Sequence, residues 1–214
     1  MSIPFITAEE AASYIKNGDN VAFSGFTASG TPKVVTVALA ERAKKLHEEG
    51  KPFKINVFTG ASTNDHVDGE LARANAVAIR TPYQSHGDMR KSLNSAEMNY
   101  FDLHLSHLSQ DMRYGFYGDI DVAIIEATEM SPNGEVILGA GLGMTPTIAQ
   151  LAKKVIIEYS SYYRNSFRGF HDNYVPLDPP HRREIPIYKP SDRIGSTVLK
   201  IDPKKIIGVV PSNA

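Results

Sequence analysis

The chain has 214 residues, 42% of them hydrophobic, and a net charge of −1 at pH 7. That is enough apolar material for one large domain core, and it leaves no basic stripe of the kind a nucleic-acid binder needs. There is no cysteine, which excludes a disulfide framework, a thiol nucleophile and a zinc–thiolate site. No apolar run approaches the roughly 20 residues that span a bilayer. The start, MSIPFITAEEAA, lacks the basic and apolar regions of a secretory signal. The expectation is a soluble, cytoplasmic protein with neither nucleic-acid nor membrane partners.

Thr7-Ala8-Glu9-Glu10 has the form of a capping box, and Ala11, Ala12, Tyr14 and Ile15 follow at helical spacing. This predicts a helix over 8–17, stopped by Gly18. Asn20–Phe23 is the first strand. The run after it, Ser24-Gly25 to Gly30, is made of small residues apart from Phe26. Thr31 then suits an N-cap and Pro32 the first helical position, predicting a helix to about Glu49. Lys54–Phe58 is a strand ending in Thr59-Gly60-Ala61-Ser62-Thr63. A helix is expected over 65–74, a strand over 77–80 and helices over 86–98 and 108–114, with weak alternation between them at 100–105. Val122–Glu126, VAIIE, is an unbroken apolar run up to its terminal Glu, as in a strand covered on both faces. Glu135–Leu138 leads into Gly139-Ala140-Gly141-Leu142-Gly143, a helix from Thr145 to about Lys153, and a buried strand at 155–158. Strands alternating with helices predict an α/β fold with an open, largely parallel sheet flanked by helices.

The pattern changes after Ser160. Residues 161–195 are rich in Pro, Arg and aromatics and carry no periodicity, so they are expected to be a connector loop following an α/β domain at 1–160. Strand character resumes at 197–201 and 205–210. The expectation for 196–214 is terminal strands leading to a further, C-terminal domain.

In an open α/β sheet, ligands meet the loops beyond the C-terminal ends of the strands. Those loops hold hydroxyls and backbone N–H groups but no obvious nucleophile–base pair. Gly25 and Gly30 fit either an anion-binding turn or a tight turn alone. Gly139–Gly143 resembles half of a dinucleotide fingerprint with its last glycine misplaced. His104 and His107 lack a third metal ligand, and Ser62 and His66 lack a nucleophile elbow. Glu126 and Glu158 each close an apolar strand. Burial there would raise their pKa values, and a satisfied strand-end carboxylate is the simpler role for both.

Five segments carry a resemblance: SGFTASGTPK at 24–33, TGASTNDHVDGELARANAVAIRTPY at 59–83, GDIDVAIIEAT at 118–128, VPLDPPHRREIPI at 175–187 and DRIGSTVLKIDPKKIIGVV at 192–210. In order and spacing the chain resembles the N-terminal half of the acetyl-CoA hydrolase/transferase family, class I CoA-transferases of the succinyl-CoA:acetate type. The resemblance implies a CoA-transferase fold, shared with ribose-phosphate isomerases. It also implies transfer of CoA between a short acyl-CoA and a carboxylate through a glutamyl-CoA thioester. Coenzyme A is then a substrate, with no other cofactor. The nucleophilic Glu is expected beyond Ala214, so Glu126 and Glu158 are not nucleophiles. The partners implied are the chain's own C-terminal domain and further copies in a homo-oligomer. The carboxylate side of the cleft carries over: Ser62, Ser85, Gly25, Phe26, Gly60, Ala61 and Thr63. For Ser62 the structural alternative is a cap on the helix that follows.

Overall fold

The computed structural model describes residues 3–214. Its centre is one nine-stranded sheet. In chain order the strands are β1 (Asn20–Phe23), β2 (Ile55–Phe58), β3 (Val77–Thr81), β4 (Asn99–Tyr100), β5 (Val122–Met130), β6 (Glu135–Leu138), β7 (Lys154–Ser160), β8 (Leu199–Lys200) and β9 (Ile206–Ser212). The helices are α1 (Ala8–Ser13), α2 (Val34–Glu48), α3 (Glu70–Arg73), α4 (Gly87–Asn94), α5 (Leu105–Arg113) and α6 (Thr145–Leu151). A single π-type turn at Asp65–Gly69 precedes α3.

The sheet runs β4-β3-β2-β1-β5, all parallel, and β7 and β9 continue it in parallel on the far edge of β5. Along its β1 edge, β5 changes partner. β1 pairs up to Phe23↔Ile124, and antiparallel β6 takes over at Ala127↔Leu138. Antiparallel β8 extends β6. The expectation of a largely parallel sheet holds.

Both faces of the sheet are covered, which is why VAIIE has no polar alternation. Val122 and Ile124 join the core with α1–α4, among Leu39, Leu71 and Met89. Ala123, Ile125 and Ala127 face the other way, into the core with α5 and α6, among Leu108, Met112 and Ile148. Each large aliphatic side chain so buried contributes about 1.5–3 kcal/mol before entropic costs.

The ends of several elements differ from the sequence pattern. The Thr7 cap is present, with Glu10 N–H donating to Thr7 Oγ1 at 3.0 Å, but α1 ends at Ser13. The alternating run at 100–105 pairs only as far as Tyr100. The cap expected at Thr31 is not there: α2 starts at Val34, with Lys33 at the cap position and no side-chain capping bond. Its free N–H groups go instead to Glu158, at the end of β7. The Glu158 carboxylate accepts from Lys33 N–H at 2.7 Å, Val34 N–H at 3.2 Å and Val35 N–H at 3.0 Å. A carboxylate at a helix N-terminus meets both the orphan donors and the positive end of the dipole. Short-range capping therefore gives way to a partner 123–125 residues along the chain.

The irregular stretch after β7 is closed on itself. Asn173 and Ser196 bridge its ends, and the Asp172 carboxylate accepts from Ile194 N–H at 3.0 Å and Gly195 N–H at 2.7 Å. Farther out, the forked guanidinium of Arg113 holds Asp178, with its closest contact at 2.6 Å, and keeps that carboxyl below its usual pKa range. The chain then returns to the same sheet through β8 and β9. Among the described residues no helix is long and apolar enough to cross a membrane.

Glu158→Gln keeps the size of the side chain but replaces one acceptor oxygen with an NH₂ that faces backbone donors. The expected cost is about 1–2 kcal/mol, in the range of a lost helix cap. It is read as a lower urea midpoint at unchanged slope. A wild-type midpoint would show that the cap contributes nothing.

Candidate functional site

The place where β5 exchanges β1 for β6 opens a gap in the ladder. It lies between β1 and β5, from which the sheet is built outward in opposite directions, and such switch points are where α/β sheets hold ligands. Ser24 fills the gap: its N–H donates to Ile124 O at 3.0 Å, and its Oγ accepts from Glu126 N–H at 2.9 Å. The same hydroxyl donates to Gly30 O at 2.7 Å, which folds the loop after β1 back on itself.

Three loops meet above this point. The loop after β1 is stitched to the loop after β2 by Thr27 N–H to Ala61 O and Thr63 N–H to Thr27 O, both at 3.1 Å. The loop after β6 packs against it backbone to backbone. A Cβ on Gly30 would lie 2.6 Å from Gly141 O, and one on Gly141 would collide with Ser29 O. Only glycine allows this approach at both positions. The half-fingerprint at Gly139–Gly143 therefore has a packing role, and its backbone faces the neighbouring loop where a pyrophosphate would have to lie.

Glu126 and Glu158 stand side by side, paired in register on β5 and β7. Burial pushes both pKa values up; the Lys33 ammonium opposes this at Glu126, and the three α2 N–H groups oppose it at Glu158. Lys33 Nζ donates to a Glu126 carboxylate oxygen in a pair whose carboxylate side is fully buried. Glu158 is thus a satisfied carboxylate near the end of β7, while Glu126 lies midway along β5 with its Oε1 unpartnered among the described residues; both have raised pKa values.

A second buried pair supports the loop after β2. Arg80 Nε donates to Asp68 Oδ1 at 2.8 Å, with both side chains fully buried. Arg80 Nη2 also donates to Ser62 O at 2.8 Å, and Nη1 to Thr81 O at 2.7 Å. The sequence reading missed Arg80 and Asp68. The available signal was a charged residue, Arg80, inside the strand VAIRT.

The structure brings most of the expected site residues together. Phe26 is 52% exposed at the loop tip. Ser85 is exposed and its Oγ lies 2.6 Å from Thr63 Oγ1, forming a hydroxyl pair on the rim. Gly25 and Gly60 are buried in the loop bases, and Ala61 is half-buried between them. Ser62 lies deeper. It is fully buried and its Oγ donates to Ser24 O at 3.0 Å, which ties the two loops together. It does not cap the following turn; Asn64 does, with Oδ1 accepting from Val67 N–H at 2.9 Å. His66 lies apart from Ser62, in a groove beside Lys33 and Val37. His104 and His107 stack edge to face, with ring centroids 5.4 Å apart. Among the described residues no group of three or more His, Cys, Asp or Glu could hold a metal ion.

A profile of the acetyl-CoA hydrolase/transferase N-terminal domain matches residues 3–211. The chain is 45% identical over 208 residues to a propanoyl-CoA:succinate CoA transferase of Escherichia coli K12, covering 97% of this chain and 42% of that protein. It is 40% identical over 206 residues to an acetyl-CoA hydrolase of Schizosaccharomyces pombe, covering 94% of this chain and 39% of that protein. The chain thus spans less than half the length of the curated relatives it matches. Its fold is that of CoA-transferases: glutaconate coenzyme A-transferase from Acidaminococcus fermentans superposes with a TM-score of 0.63 at 15% identity, covering 97% of this chain and 75% of that one.

Arg80→Met removes the charge that answers Asp68 and the donor that holds Ser62 O. Leaving Asp68 buried without its partner is expected to cost about 3–5 kcal/mol. Arg80→Met with Asp68→Leu is expected to recover most of that loss in chemical denaturation. A double variant as unstable as the single one would show that the pair is not the support of this loop.

Proposed function

The chain belongs to the acetyl-CoA hydrolase/transferase family, and from that premise we propose that it is the carboxylate-binding, N-terminal half of a CoA-transferase. The complete enzyme moves CoA between a short acyl-CoA, acetyl- or succinyl-CoA, and a carboxylate such as acetate. The observation that carries this reading is the match over 97% of the chain to a protein named for CoA transfer.

In the proposed reaction a glutamate of the C-terminal half attacks the thioester carbonyl. The C–S bond breaks, CoA leaves as the thiolate, and an acyl-glutamyl anhydride remains. The thiolate then attacks the glutamyl carbonyl and releases the donor's carboxylate. An acceptor carboxylate takes the resulting glutamyl-CoA thioester through the reverse sequence. Coenzyme A enters and leaves as substrate, and no other cofactor takes part. The 214-residue chain supplies the wall that seats the acid. The Phe26 ring covers its apolar part, and the Thr63–Ser85 hydroxyl pair turns toward its oxygens. Ser62, Gly25, Gly60 and Ala61 hold those groups in place. The second half comes from the same polypeptide or from a partner subunit, and the enzyme is a homo-oligomer working in the cytoplasm.

The hydrolase named among the relatives favours a second reading. If water reaches the glutamyl-CoA thioester before an acceptor does, the same machinery hydrolyses acyl-CoA.

The chain alone is expected to transfer no CoA from acetyl-CoA or succinyl-CoA to a carboxylate. Transfer by the isolated chain would overturn the division of roles. In the complete enzyme, Phe26→Ala is expected to raise the acceptor KM about tenfold, equivalent to ~1.4 kcal/mol of acceptor binding. Ser85→Ala is expected to raise it less, with the KM for acyl-CoA held in both. Unchanged acceptor kinetics in both variants would move the acid-binding wall elsewhere.

A further inference from the structure

The loop carrying Phe26 leaves β1 at Ser24 and rejoins regular structure at Val34. One residue outside the loop holds both of its ends. At the first end, Glu126 N–H donates to Ser24 Oγ at 2.9 Å, and that hydroxyl fastens Gly30 O at 2.7 Å. At the other end, the Glu126 carboxylate takes the Lys33 ammonium, which also donates to Thr31 O at 3.1 Å. Between these anchors Phe26, Thr27, Ala28 and Ser29 stand exposed.

Glu126 itself is 1% exposed and lies beneath the cleft wall. Its Oε1 has no hydrogen-bond partner among the described residues, and a Cβ on Gly139 would come within 2.6 Å of it. The carboxylate is therefore confined between Lys33 and the loop after β6. Glycine at position 139 is what leaves room for it there. A confined pair at a loop's two ends transmits position, because packed groups shift between discrete arrangements and do not yield continuously.

We propose that Glu126 is a positioning residue of the acid-binding cleft, acting through Ser24 and Lys33 to hold the Phe26–Ser29 tip in its receiving conformation. The role in turnover rests on the CoA-transferase reading; the role in holding the loop does not. The alternative is that Glu126 is only a core carboxylate whose loss lowers stability everywhere alike.

Two measurements separate these. In the 214-residue chain, hydrogen exchange of Phe26, Thr27 and Thr63 amides reads the loop, and Val21–Phe23 amides read the sheet. With Glu126→Gln the loop amides are expected to exchange about tenfold faster while the sheet amides hold. In the complete enzyme, Glu126→Gln and Lys33→Met are each expected to raise the acceptor KM about tenfold with kcat within about twofold. The double variant should be no worse than either single one, because the two act as a unit. Lys33→Arg keeps a charge and a donor, and should fall between wild type and Lys33→Met. Loop amides protected as in wild type, or losses of KM that add in the double variant, would overturn the proposal. If Glu126→Gln does not fold, Lys33→Met and Lys33→Arg decide it with the same two readouts. A complete enzyme that transfers no CoA would remove the functional reading, and the exchange result would still decide the role of Glu126.

Discussion

Two carboxylates stand next to each other, out of water, on neighbouring parallel strands, and the rest of the rim is arranged around answering them. Burial raises the pKa of Glu126 and of Glu158, since charge is disfavoured away from water. One residue answers both. Lys33 gives its ammonium to Glu126 and its backbone N–H to Glu158. The N-terminus of α2 is thereby fixed to β5 and β7. With α2 fixed, the path of the loop from Ser24 to Pro32 is set from both sides. A helix held by its own Thr31 cap would leave these carboxylates without donors. The long-range cap wins because three N–H groups and a dipole meet the two oxygens of one carboxyl, where a threonine hydroxyl supplies one acceptor.

The alternation of elements, the parallel sheet, the doubly covered VAIIE strand and the rim loops were legible in the sequence because they follow from local periodicity and turn chemistry. The Thr7 cap was legible for the same reason. The failures share a cause. Residues 31–33 were read as a self-capped helix start, while the real acceptor lies in β7. The cap expected as an alternative role for Ser62 falls to Asn64, while the Ser62 hydroxyl bonds a carbonyl in another loop. Arg80 and Asp68 are 12 residues apart with a turn and a helix between them, and neither is marked by any motif. Polar groups that choose distant partners leave no periodic trace. The resemblance to CoA-transferases supplied what periodicity could not, because matching loops in order carries the tertiary arrangement with it.

The glycines at the rim have a similar logic. Gly25 and Gly30 fitted either an anion-binding turn or a tight turn alone, and Gly141 sat in half of a dinucleotide fingerprint. In the fold the backbone around them is used internally: Phe26 and Ser29 bond each other, Thr27 bonds Ala61, and the loop after β6 closes from above. Close loop packing and a free row of N–H donors are alternatives at one place, and here packing prevails. The result is a wall whose loops are tied to one another by backbone bonds and close packing.

A wall of that kind constrains how specificity can arise. Backbone N–H groups already bonded to neighbouring loops cannot distinguish one acid from another. The rim of this chain presents among its side chains an exposed aromatic ring, Phe26, and the hydroxyl pair of Thr63 and Ser85. Relatives at 40–45% identity bear names that differ in substrate and even in reaction class. On the proposed reading, such differences must come from a few side chains set on an unchanging loop frame, together with what the other half contributes. Truncating one methylene against an apolar wall changes binding by about 1–3 kcal/mol, whereas leaving a buried polar group unpaired is discriminated far more strongly. The Phe26 side of the cleft is therefore suited to grading acids by length. The hydroxyl side is suited to separating a dicarboxylate, which brings a second charged end, from a monocarboxylate, which does not.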